Sequence, residues 1–200
     1  MGLFPFNTNW ARQAQTDVPS IRTTLGAGVM YSPGSPAVAD VDRYFTGVMA
    51  LGAYTLLQTG PDVGARSVTI TRTTVDAADT FGTVNIVGTD LAGNVITETL
   101  TPTVSGTTYQ TTRAFATVTS VTSVGWVIGG GADTFVIGMG DRFGLPDLLT
   151  DTAQVVCASV NNVREATAPT VTVSATVLSL NTVDPDSALG GTPFKVYYWL

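Results

Sequence analysis

From Arg66 to Leu200 the chain sets Thr against Val or Ile in short segments broken by Gly, Asn, Asp and Pro, a pattern that builds little except β-sheet. Thr and Val branch at Cβ, which restricts χ1, disfavours helix and suits a pleated, half-buried face. Ser67-Val-Thr-Ile-Thr71 puts Val68 and Ile70 on one face, and Thr83-Val-Asn-Ile-Val87 does the same with Val84 and Ile86. Thr89-Asp-Leu-Ala-Gly-Asn94 supplies a turn whose Gly93 and Asn94 tolerate positive φ, and Val95 to Thr101 returns as the partner strand, stopped by Pro102. This is the clearest hairpin in the chain.

The series continues through Phe115 to Val124, Trp126 to Ile128 and Thr134 to Ile137. After Gly144-Leu-Pro-Asp147 come Gln154 to Ser159, a tight turn at Asn161-Asn162, then Thr170 to Val173, Thr176 to Leu180 and the aromatic terminal strand Phe194 to Leu200. Strands and turns at this spacing predict an all-β fold, an Ig-like or jelly-roll-type β-sandwich. A free apolar terminus is an aggregation hazard, so Tyr197-Tyr-Trp-Leu200 is expected to be paired in a sheet. Between Val38 and Leu57 strand and helix spacing compete. A strand from about Tyr44 is preferred, with a short helix or turn at 38–43 as the alternative.

Residues 1–43 show weak periodicity, carry Leu3, Phe4, Phe6 and Trp10 near the start, and are punctuated by Pro19, Pro33 and Pro36. They read as an extended N-terminal arm, followed by a sandwich domain over 44–147 and a smaller C-terminal β unit over 148–200, separate or packed with it as one domain. The arm's aromatics mark an anchor that docks on this chain's own core or on a neighbouring subunit.

Charged residues make up only 12% of the chain, about half the usual share. Hydroxyls keep such a surface in water, and partners cover the rest. The net charge of −6 argues against nucleic acid, whose phosphates require Lys and Arg to displace counterions. Lys195 is the sole lysine among eight arginines; Arg suits protein interfaces through its planar fork, and Arg12, Arg22 and Arg43 are the charged interface candidates, with biased composition an equal explanation.

The single Cys157 excludes an internal disulfide and reads as a small buried residue on a strand. The start of the chain has no basic region followed by an apolar run, and no stretch approaches membrane-spanning length, so neither a secretory leader nor a membrane partner is expected.

No histidine occurs, which removes His-dependent triads, Cys–His dyads and His-containing zinc sites. Gly138-Met-Gly-Asp-Arg-Phe-Gly144 has its third Gly one residue late for a dinucleotide loop and no helix after it, so it reads as a strand-to-loop turn. The aspartates sit mostly in turns, which they stabilise through their own side chains. Glu98 shares a strand face with Ile96 and Leu100 and reads as a cross-strand ion-pair residue, toward Arg72 or Arg113, rather than a catalytic acid. Asp40-Val-Asp42 and Asp184-Pro-Asp186 offer oxygen ligands, but two carboxylates rarely complete a calcium shell. No catalytic residue, metal or cofactor is expected.

The string Thr80-Phe-Gly-Thr-Val-Asn-Ile-Val-Gly-Thr-Asp-Leu-Ala-Gly-Asn-Val-Ile-Thr-Glu-Thr-Leu100, then Ala114-Phe-Ala-Thr-Val-Thr-Ser-Val121 and Gly138-Met-Gly-Asp-Arg-Phe-Gly-Leu-Pro146, resembles β-rich virion proteins of tailed bacteriophages, above all head decoration or cement proteins. The likeness covers roughly 54–147, and Val163-Arg-Glu-Ala-Thr-Ala-Pro169 extends it. It implies a non-enzymatic subunit made in the host cytoplasm that sits on an assembled capsid, often as a trimer, with the major capsid protein and its own copies as partners. A tail, neck or baseplate component, or a carbohydrate-binding or adhesin-like sandwich, are the alternative readings; a small glycosidase ranks last.

Overall fold

The computed structural model describes residues 28–76, 78–80, 82–129 and 133–200. Its strands in chain order are β1 (Gly28–Gly34), β2 (Asp40–Val48), β3 (Gly52–Ala53), β4 (Arg66–Thr73), β5 (Thr83–Thr89), β6 (Val95–Leu100) and β7 (Thr108–Gln110). They continue with β8 (Thr117–Val124), β9 (Thr134–Gly144), β10 (Val155–Val160), β11 (Val163–Arg164), β12 (Thr170–Thr172), β13 (Thr182–Asp184) and β14 (Phe194–Trp199). The protein is all-β, and its antiparallel sheets stack as a β-sandwich.

Three sheets share the work. The central one runs β12-β13-β9-β4-β7, with β2 also paired to β9; a second runs β3-β8-β5-β6; a third runs β1-β14-β10-β11. One apolar core lies between the central and second sheets, built on Tyr44, Ile70, Ile86, Val121, Trp126, Phe135 and Ile137. The other joins the central and third sheets through Phe143, Leu145, Leu149, Val183, Phe194, Val196 and Tyr198. The strand β9 contributes to both, so its length ties the two cores together.

The expected hairpin is present: β5 and β6 pair in unbroken register from Val84–Leu100 to Thr89–Val95. Its turn is closed by Asp90, whose Oδ1 accepts from the backbone N–H groups of Ala92 and Asn94, both at 2.9 Å, while Gly93 takes φ 81°. The Asn161-Asn162 turn joins β10 to β11 with both residues at positive φ. The aromatic C-terminus is paired on both sides, by β1 and by β10.

Other expectations need correction. The helix alternative at 38–43 fails, because β2 already begins at Asp40 and pairs with β9. Residues 28–43, read as arm, hold β1 and the start of β2; residues 1–27 lie outside the described residues. Thr176 to Leu180 ends in a 3-10 turn at Leu178–Leu180 rather than a strand, stopped by Asn181, whose side-chain amide donates to the carbonyls of Ser174 and Val177. Trp126 to Ile128 contributes only an isolated bridge from Val127 to Thr80. Cys157 is on a strand, as read, but half-exposed.

The glycine-rich 138–144 segment is strand, not turn: β9 runs through it. A Cβ on Gly138 would lie 2.3 Å from the carbonyl oxygen of Val41, and one on Gly140 would lie 2.5 Å from Ser67 Oγ. These glycines allow neighbouring strands to approach, which is a reason for Gly inside a strand distinct from turning.

At this junction sits Arg66, fully buried at the start of β4. Its Nε donates to Gly140 O at 2.8 Å, Nη1 to Ala37 O at 3.0 Å and to Asp62 Oδ1 at 2.9 Å, and Nη2 to Asp141 Oδ1 at 3.0 Å. The guanidinium also stacks 5.0 Å from the Phe143 ring centroid. A buried cation is tolerable only when its charge and donors are matched, and here two carboxylates and two carbonyls do so.

Candidate interface surfaces

The predicted anchors Leu3, Phe4, Phe6 and Trp10, and the predicted cations Arg12 and Arg22, lie outside the described residues. Arg43 is described, and it is turned to internal use: its Nε donates to Gly60 O at 3.0 Å, pinning β2 to the loop after β3.

The predicted role of Glu98 also changes. Its Oε1 accepts from Thr112 N at 2.7 Å and from Thr112 Oγ1, and its Oε2 from Arg113 N at 2.9 Å. Glu98 therefore caps a backbone turn, while Arg113 reaches away to Ser179 Oγ at 2.8 Å. Most other acids are similarly engaged. Burial disfavours the charged form of Asp62, but the Ala37 N–H and Arg66 outweigh it and hold this carboxyl below its ordinary value. Asp147 accepts from Tyr198 Oη at 2.5 Å; burial first, then that bond and the aspartate's charge, push the phenol far above its ordinary range. Burial raises Asp184, with Arg142 at 3.7 Å opposing and Asp141 reinforcing the shift.

Among the described residues no three His, Cys, Asp or Glu gather where they could hold a metal ion, and no helix is long and apolar enough to cross a membrane. The described surface also carries chemistry suited to contact: hydroxyls, an open sheet edge and exposed apolar side chains.

Three surfaces present it. The outward face of the second sheet is rich in threonine, with Thr97 and Thr99 on β6, Thr83 and Thr89 on β5, and Thr117 and Thr119 on β8, alongside Asn85, Val87 and the exposed Val95. Hydroxyls pair across strands, Thr89 with Thr117 at 2.8 Å, and Thr99 donates to Asn85 Oδ1 at 2.7 Å. Hydroxyls here provide the wetting that charges usually supply.

The third sheet ends in β1, whose outer side has no strand partner among the described residues. Residues 1–27 enter at its first residue, Gly28, over which the Trp199 ring lies so closely that a Cβ would sit 2.9 Å from it. Met30, Val156 and Leu200 are exposed nearby, in β1, in β10 and just after β14.

The third surface is the end of the sandwich where β9 begins. Val48 and Thr73 both pair with Thr134, and the pairing of Gly52 with Ser123 brings Leu51 beside Val124. Val127 bridges Thr80, and Val75 N donates to Asp133 Oδ1 at 2.8 Å. Val48, Leu51, Val75, Val124 and Val127 are all exposed there. Beneath them lies Arg72, 5.7 Å from the Trp126 ring, with Asp79 and Asp133 around it. Burial lowers the Arg72 pKa, and the two carboxylates partly restore it.

The sequence reading passed over this end because single valines at strand termini carry no periodic signal. Nor did it find Arg66, for which the Asp62–Arg66 spacing in a loop gives no template. No family model, curated protein or solved structure matches this chain.

Proposed function

We propose that this protein is a non-enzymatic structural subunit of a tailed-bacteriophage virion, bound to the outside of the capsid and stabilising the shell through subunit contacts. The supporting observation is the division of labour in the fold. Acids and arginines are largely committed to internal bonds, as at Arg66, Glu98 and Asp147, whereas the outward surfaces are threonine hydroxyls, an open sheet edge and exposed valines. Such surfaces suit repeated weak contacts, which a lattice multiplies by raising effective concentration. The sequence likeness over 54–147 points the same way. The partners in this reading are the major capsid protein and further copies of the chain, a trimer favoured, with residues 1–27 as the anchor.

The test is retention on purified heads. Deleting residues 2–12 should abolish retention while the far-UV circular dichroism of the body stays unchanged; normal retention by the truncated protein overturns the reading. A carbohydrate-binding module is the second reading, favoured by the half-buried Tyr197 and Trp199 alternating along β14 with the buried Val196 and Tyr198. Specific signals on a glycan array would promote it.

A further inference from the structure

We propose that the apolar end of the sandwich, at the start of β9, is the docking surface for the N-terminal segment, residues 1–27, of a second copy of this chain. The proposal rests on reading that segment as an anchoring arm, and it names the surface the arm meets.

The receiving surface is defined by position and by chemistry. Scattered exposed valines need no explanation, but Val48, Leu51, Val75, Val124 and Val127 converge where the ends of β2, β4 and β8 meet the first residue of β9. Gathered apolar groups of this kind mark contact sites. The same end is acidic: Asp76 is exposed, Asp79 half-buried and Asp133 buried, with Arg72 the cation among them in the described residues. Asp79 Oδ2 and Asp133 Oδ2 have no hydrogen-bond partner among the described residues.

The occupant is indicated by complementarity. Of the chain's nine basic and fifteen acidic residues, Arg12, Arg22 and Asp17 lie in residues 1–27, which leaves seven basic against fourteen acidic in the rest. The arm is thus a basic segment attached to an acidic body, and it carries Leu3, Phe4, Phe6 and Trp10. Aromatics on the valines, with Arg12 brought to the exposed edge of the aspartates, satisfy both halves of the surface. Opposite charge also speeds such docking and sets its orientation.

The self-associating role proposed above selects a second copy, and the placement of the two ends is compatible with it. The arm joins the body at Gly28 in β1, which packs with the Phe143 half of β9, whereas the apolar end lies at Thr134. At about 3.3 Å per residue those two parts of β9 are about 30 Å apart. Seventeen residues lie between Trp10 and Gly28, a reach of at most about 60 Å. Donor and acceptor at opposite ends of one molecule make a head-to-tail contact, which closes into a ring when the rotation permits.

The experiment uses the full chain with a benzophenone amino acid at Phe6. Irradiation should give a crosslinked dimer whose adducts map to 48–51, 75 or 124–127. Leu51→Asp with Val124→Asp should reduce the dimer at least tenfold with an unchanged circular dichroism spectrum, and the milder Leu51→Thr with Val124→Thr should reduce it partway. Adducts confined to one chain, adducts mapping elsewhere, or a dimer indifferent to both pairs of substitutions would overturn the proposal. Loss of retention on heads with these crosslinks intact bears on the capsid reading alone.

Discussion

Arg66 shows how a chain poor in charge spends the few it has. Its guanidinium is completely buried, and beyond the nearby Asp62 four residues back it ties together segments distant in sequence, the loop at Ala37 and the middle of β9. Arg66→Met keeps the apolar stem but leaves Asp62 and Asp141 without their cation and two carbonyls without a donor. Breaking a buried pair from one side costs about 3–5 kcal/mol, so guanidinium denaturation should show a loss of that order. The same cluster sets an acid limit. The folded-state pKa of Asp62 lies below its ordinary 3.8, so its contribution is present above that value and is lost as the pH falls through the lower, folded value. Asp62→Asn should therefore be less stable than the parent at pH 6 and lose less further stability below pH 4, read as midpoint against pH; equal acid slopes for the two proteins would remove Asp62 from the account.

Elements were legible where their causes were local. The β5–β6 hairpin follows from alternation on both sides of Asp90-Leu-Ala-Gly-Asn94, and the turn bonds and register that define it lie within that stretch. The all-β class was legible for the same reason, since Cβ branching acts residue by residue. By contrast, β1 pairs with β14 at the other end of the chain, and β13 extends the central sheet through only two pairs with β9, so neither leaves a local signature. Gly138 was misread because a glycine that turns the chain and one that admits a neighbour look alike in sequence. The distinction is testable. Gly138→Ala would set its Cβ 2.3 Å from one backbone carbonyl and 2.4 Å from another, on Val41 and Asp40, so β2 must move. A cost of about 1–3 kcal/mol is expected for overpacking of this kind, with amide exchange accelerated in 40–48 before the rest of the molecule. A turn glycine replaced by Ala would instead leave β2 protected.

At the scale of the whole molecule the question is whether the two cores form one cooperative unit. Sequence reading places a boundary at about residue 147, where Gly144-Leu-Pro-Asp147 interrupts the strand series, with the units on either side separate or packed as one domain. The structure crosses that line repeatedly: β13 hydrogen-bonds to β9 at Thr182–Gly144 and Val183–Phe143, and Leu145 N donates to Asn181 O at 2.8 Å. The N-terminal strand β1 also belongs to the C-terminal sheet. With β9 running through both cores, neither can open without exposing residues of a strand that the other needs. Calorimetry should accordingly give one transition with equal calorimetric and van't Hoff enthalpies, the signature of two-state unfolding. Ile137→Ala in the first core and Val196→Ala in the second should lower that single midpoint together, by roughly 2–5 and 1–3 kcal/mol respectively, within the range for large-to-small core changes and transfer of the lost methyls. Two resolved transitions, each answering to only one of these substitutions, would instead make β9 a seam between independent halves.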